Sequence, residues 1–232
     1  MNLAELAFFC HCYSNITRYD RAYLNFLDRV NSQLNLENKT HRFEILNWLN
    51  KFGCRQFAKK YHPQASDSIK IWYENHYETL INIPNNILAL TEDNMLRIKD
   101  VYEPLRSSFA SIQNRNGNEK DVSFGATGAA KFLFTIRPHT FAPWDNAIRK
   151  NLKYNESAES YTKYLDKVID NINELKNICN IKGLSFNDLN TIIQRPNSTL
   201  PKIIDEYFWM KYTQNAIPPD KKTINNWLRW LE

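Results

Sequence analysis

The chain of 232 residues carries 30 lysines and arginines against 25 aspartates and glutamates, a formal charge of +5. Hydrophobic residues make up 43% and charged residues 24%, which supplies a sizeable core and excludes a disordered chain. The basic excess is mild and no Lys/Arg block occurs, so a basic nucleic-acid-binding tail is excluded; any such footprint must be assembled on the folded surface.

The N-terminal stretch MNLAELAFFCHCYSN has no basic residue ahead of its apolar run and carries Glu5, so it does not read as a secretory signal. No apolar run approaches the roughly 20 residues that span a bilayer, and no membrane partner is expected. The cysteines, Cys10, Cys12, Cys54 and Cys179, match neither zinc-knuckle nor iron–sulfur spacing. The triplet Cys10-His11-Cys12 offers too few ligands for a metal and reads as helix packing. No metal or cofactor is expected. Free thiols suit a reducing compartment, so the expected location is cytoplasmic and the Asn15-Ile16-Thr17 triplet is a chance glycosylation match.

Apolar residues then recur at helical spacing along the chain. Tyr19, Tyr23, Phe26, Leu27 and Val30 form one stripe; Phe43, Leu46, Trp48 and Leu49 form a second that ends near Gly53. Ser66 or Asp67 is placed to cap a helix carrying Ile69, Trp72, Tyr73, Tyr77 and Leu80. After the break at Pro84-Asn85-Asn86, Thr91 caps a helix through Met95, Ile98, Val101 and Tyr102. Asn114-Arg115-Asn116-Gly117-Asn118 is the most loop-like stretch. It divides an N-terminal helical part, 1–113, from a second, 119–232, the two forming one integrated unit. Ser157 opens a long amphipathic helix from Tyr161 to Ile178, with Gly183 past its end; Ser185 caps a short helix that Pro196 stops. Helices over 200–212 and 223–231 complete an all-α expectation, with no alternating run long enough for a sheet. The aromatics around Trp72, Tyr207 and Trp227 read as core or as a subunit interface.

Chemistry concentrates in residues 123–149. Gly125 and Gly128, two of only five glycines, open a helix through Ala129, Ala130, Leu133 and Phe134. Backbone amides at such a start, free of bulky side chains, suit a phosphate. Pro138 ends the helix, a loop carries His139, Phe141, Pro143 and Trp144, and Asp145 begins the next helix over 146–152. Arg149 stands one turn beyond Asp145, within pairing reach.

A glycine hairpin, a helix, a proline-rich loop and an aspartate opening another helix resemble the helix-hairpin-helix DNA glycosylase superfamily, which includes the endonuclease III-like and 8-oxoguanine glycosylase-like enzymes. Gly125 matches a hairpin glycine, residues 138–143 the loop, and Asp145 the aspartate. The segment Ile204-Asp205-Glu206-Tyr207-Phe208-Trp209 also looks like uncharacterised carriers of this signature. The chain departs from the pattern in three ways. Thr127 stands where bifunctional members carry a nucleophilic lysine, with Lys131 one turn further on the same face. The Leu-Pro-Gly hairpin start is missing, and no iron–sulfur cysteines occur. The resemblance implies DNA as partner and a flipped nucleotide whose N-glycosidic bond is cleaved with help from Asp145. Lys131 is the further catalytic candidate. Gly125, Thr127, Gly128, Ala129, Arg149 and Lys150 would hold phosphate, and Trp144 and His139 would meet the base.

Each residue also has a structural reading. Asp145 is a helix cap, Gly125 and Gly128 permit a tight helix contact, Lys131 is a surface or salt-bridge lysine, and Trp144 is a core anchor. His139 is a solvated loop residue and Arg149 the partner of Asp145. A smaller basic patch, Arg55, Lys59, Lys60 and His62 with Phe57 and Tyr61, reads as a solvated face or a nucleic-acid backbone contact. The alternatives to an enzyme are a non-catalytic helix-hairpin-helix nucleic-acid-binding protein of a repair or defence complex, and a helical protein-interaction module.

Overall fold

A computed structural model describes residues 1–115 and 117–228. The chain forms α1 (Leu3–Ile16), α2 (Tyr19–Arg29), α3 (Lys39–Lys51), α4 (His62–Ile81), α5 (Glu92–Ser107), β1 (Phe109–Arg115), β2 (Asn118–Ser123), α6 (Gly125–Ile136), α7 (Asn146–Asn151), α8 (Ala158–Ile181), α9 (Leu189–Ile192), α10 (Leu200–Phe208) and α11 (Lys221–Leu228). A π-helical turn, Trp209–Thr213, continues α10.

The helix caps follow from residue chemistry. Thr91 and Asn94 form a reciprocal capping box at the start of α5, and the Ser157 side chain accepts from the Ser160 amide at the start of α8. Gly53 and Gly183 lie just past α3 and α8 in the left-handed region that ends a helix cheaply only for glycine. Ser66, read as a cap, instead lies inside α4. That helix begins at His62 with Pro63 in its first turn, and buried Ser66 accepts from Arg42 Nε at 3.0 Å. The final helix is described to Leu228; the rest of the expected helix, and the Trp227 and Trp230 side chains, lie outside the described residues.

The all-helical expectation is corrected at one place. The stretch read as a loop falls within an antiparallel hairpin: Asn114 and Arg115 end β1 and Asn118 opens β2, while Ile112 pairs with Asp121 and Gln113 with Lys120. Gly117 adopts a φ of +82° at the turn. The strands were illegible because most of β2 is exposed, so no apolar alternation marks it. β1 holds its position by laying Ala110 and Ser111 into the core against α4. The hairpin also means that a strand, β2, enters Gly125, where a helix-hairpin-helix would have a helix.

One core runs through both halves of the chain. Leu6, Phe9 and Cys10 of α1 pack in the same apolar cluster as Ile203, Ile204 and Tyr207 of α10. The α1–α10, α3–α6, α4–α5 and α5–α8 packings close this cluster. No helix among the described residues is long and apolar enough to cross a membrane.

Candidate active site

The central segment divides into a packed part and a part that faces cavities. α6 begins at Gly125, whose φ of +64° is left-handed and whose surroundings leave open space. Gly128 is different: a Cβ there would stand 2.6 Å from Gln56 Nε2 and 3.3 Å from the Phe57 ring. Its role is close packing of α6 on the loop after α3, as Gln56 Nε2 donates to the Phe124 carbonyl at 2.6 Å. Ala129 is fully buried, so it too is withdrawn from any phosphate. The Thr127 hydroxyl accepts from Arg149 Nη1 at 2.9 Å. Of the expected phosphate group, only Gly125 and Thr127 on α6 keep partial exposure, and Lys150 is a surface lysine of α7.

Trp144 does not reach a ligand. It is fully buried against Tyr102, Tyr161 and Tyr164, and its Nε1 donates to the Ala126 carbonyl at 3.1 Å. Arg149 does not pair with Asp145. Its guanidinium reaches Thr127 and, at 3.1 Å, Glu156, and stacks over Trp144. The spacing is right for a pair, but the fold turns Asp145 inward. Asp145 is the N-cap of α7: Oδ1 accepts from the Ile148 amide at 2.8 Å and Oδ2 from the Thr213 hydroxyl at 2.7 Å.

That inward turn brings Asp145 to the same cavity as Lys131. Both line one small cavity of about 10 Å³ together with Tyr13, Tyr19, Phe52, Asp205 and Trp209. The volume is on the scale of a single water molecule. Lys131 is not a surface lysine: it is buried, donates to the Phe52 carbonyl and lies 4.1 Å from the Phe52 ring centre. The Tyr13 hydroxyl is buried and makes no hydrogen bond among the described residues.

Sequence reading missed the charged network behind this cavity. On α10, Lys202 pairs with Asp205 at 3.1 Å and Glu206 at 3.4 Å, all three being buried. Glu206 takes two bonds from Arg195, at 3.0 Å and 2.6 Å, and Arg195 also reaches Asp20 at 2.7 Å. Burial pushes the Asp205 carboxyl up to about 6, with Lys202 and Lys131 opposing the rise and Asp145 adding to it. Burial alone would lower Lys202, yet Tyr13, Asp205 and Glu206 hold its ammonium well above the ordinary lysine value. A sequence signal existed: Lys202, Asp205 and Glu206 share one helical face inside an otherwise apolar helix. A fully apolar surrounding with charges at that spacing marks internal ion pairing.

The network opens onto a larger cleft of about 630 Å³. Tyr19, Tyr23, Trp48 and Phe134 give it an aromatic side, and Asp20, Arg195, Lys202 and Ser198 a polar one. His139 stands exposed at its edge, where the sequence placed a base contact. Tyr19 belongs to both the cleft and the small cavity. Ser32 and Gln194, both at the cleft, have φ of +54° and +58°, conformations that cost non-glycine residues about 1–3 kcal/mol. Among the described residues no three His, Cys, Asp or Glu side chains gather as a metal site. Comparison of the chain with protein-family models, curated proteins and solved structures finds no match.

Proposed function

We propose that the protein is a DNA glycosylase-like hydrolase that cleaves an N-glycosidic bond, with Asp145 as its central carboxylate and Lys131 beside it. The observation that carries this reading is the meeting of Asp145 and Lys131 around one cavity that shares Tyr19 with a cleft of about 630 Å³. Such a cleft is large enough for a nucleoside, with aromatic faces for a base and polar groups for its edge. In this reading the base leaves with the glycosidic electron pair and positive charge develops on the sugar. Asp145 stabilises that charge and accepts the proton of the water that attacks the anomeric carbon. Thr127, at the position of the lyase nucleophile, makes the chemistry hydrolytic rather than lyase-type. The strand entering Gly125 and the burial of Gly128 and Ala129 depart from the helix-hairpin-helix pattern, so the resemblance rests on Asp145 and its loop.

A second reading has its own support. Both Asp145 oxygens have protein partners, as a purely structural helix cap requires, and a helical interaction module would need no more. The deciding experiment is binding and base release on duplexes carrying damaged bases or a stabilised abasic-site analogue, with wild type and Asp145→Asn. The hydrolase reading expects lesion-preferring binding by both proteins and base release by wild type alone. Equal binding to undamaged duplex with no release from any lesion would leave Asp145 a cap.

A further inference from the structure

The segment joining α3 to α4 has no regular structure until a 3₁₀ turn at Lys59–Tyr61, yet it is firmly tied. Asn50 Nδ2 donates to the Phe57 carbonyl at 2.7 Å, Ser111 Oγ to the Gln56 carbonyl at 2.6 Å, and Gln56 itself to Phe124. Cys54 and Phe57 are buried, Phe57 lying edge-on to Phe124 at 4.7 Å. With these side chains turned in, Arg55, Lys59 and Lys60 are turned out and exposed. None of the three pairs with a carboxylate among the described residues. Lys60 lies over the ring of its neighbour Tyr61, 4.5 Å from the centre, and Glu119 of the hairpin is the acidic group whose field reaches it. His62, grouped with them in the sequence, is buried on α4 with its ring on the Phe57 carbonyl and plays no part.

The same segment walls the small cavity. Phe52 lines it, and a Cβ on Gly53 would stand 3.4 Å from the Tyr19 hydroxyl and 3.7 Å from Lys131 Nζ. Arg55 follows two residues later, and Gln56 abuts the start of α6. Exposed cations without a carboxylate partner, on a pre-ordered loop beginning at the cavity wall, suit a chain of phosphates better than a single small anion.

We propose that Arg55, Lys59 and Lys60 form a docking surface for the phosphate backbone of a nucleic acid, which makes the partner a polymer rather than a free nucleoside. This rests on the hydrolase reading only for what the docked strand delivers to the cavity. The test is fluorescence anisotropy of the full chain with a labelled undamaged DNA duplex across a salt series. Replacing the three residues together (Arg55→Gln, Lys59→Gln, Lys60→Gln) should weaken binding at low salt at least tenfold and reduce the log–log salt slope by about 2–3, at roughly 0.9 for each phosphate no longer neutralised. A control triple of exposed residues on and just after α8 (Lys167→Gln, Lys176→Gln, Lys182→Gln) lowers the net charge equally and should keep the wild-type slope. An unchanged slope in the first variant, an equal loss in the control, or wild-type binding without salt dependence overturns the proposal. Asp145→Asn should bind as wild type does, so lost base release with intact binding separates the cavity chemistry from the docking surface.

Discussion

The two halves of α6 make an instructive contrast. Its first turn has the small residues that suggest an anion cradle, but those residues serve packing: Gly128 admits Gln56 and Phe57, and Ala126 offers its carbonyl to Tyr102 and Trp144. Its middle, which reads as an ordinary apolar helix with one lysine, supplies Lys131 to a cavity shared with Asp145 and Asp205. Small residues permit close approach, and in this fold the approaching group is protein. A buried lysine is costly unless its charge is answered, and here Phe52 answers it with a carbonyl and a ring face. The burial of a lysine therefore sets the middle of α6 apart more clearly than the glycines do its start.

Three measurements would break or sharpen this contrast. The largest effect is expected at the cavity's supporting network. Lys202→Met leaves buried Asp205 without its paired cation, while Glu206 keeps Arg195, and should cost about 3–5 kcal/mol in urea unfolding. A loss below about 1 kcal/mol would mean that the network does not depend on Lys202. The next concerns pH. The folded-state value of Asp205, about 6, lies above its unfolded value, so its ionisation opposes folding. Its contribution is fully present below the unfolded value and is lost as pH rises through about 6. Wild-type stability relative to Asp205→Asn should therefore fall between about pH 4 and 6 and then level, by on the order of 3 kcal/mol. A flat difference across that window would show Asp205 to be unperturbed. The smallest effect belongs to the packed half. Gly128→Val must push Gln56 and Phe57 aside and should lower stability by about 1–3 kcal/mol. If it is neutral, the start of α6 is looser than its packing requires.

Local chemistry made much of the fold legible in advance. Thr91, Ser157 and Asp145 cap helices because a side-chain oxygen before an apolar stripe satisfies an amide that the helix cannot. Gly53 and Gly183 end helices because only glycine adopts that backbone without strain. The same rules failed at Ser66, where Pro63 set an earlier start, and at the hairpin, which is stabilised by docking on α4 rather than by its own alternation.

For the site, the sequence by itself determined a cluster of unusual residues between Gly125 and Arg149 and the capping geometry of Asp145, since both depend on neighbours close in the chain. Only the tertiary structure decided that Trp144 faces the core, that Arg149 takes Thr127 and Glu156 instead of Asp145, and that Lys131 lines one cavity with Asp145 and Asp205. It also assembled Asp20, Arg195, Lys202 and Glu206 from distant segments into one ion-paired chain. Spacing along a helix sets which side chains could meet, but burial and hydrogen bonding to remote backbone select which of them do.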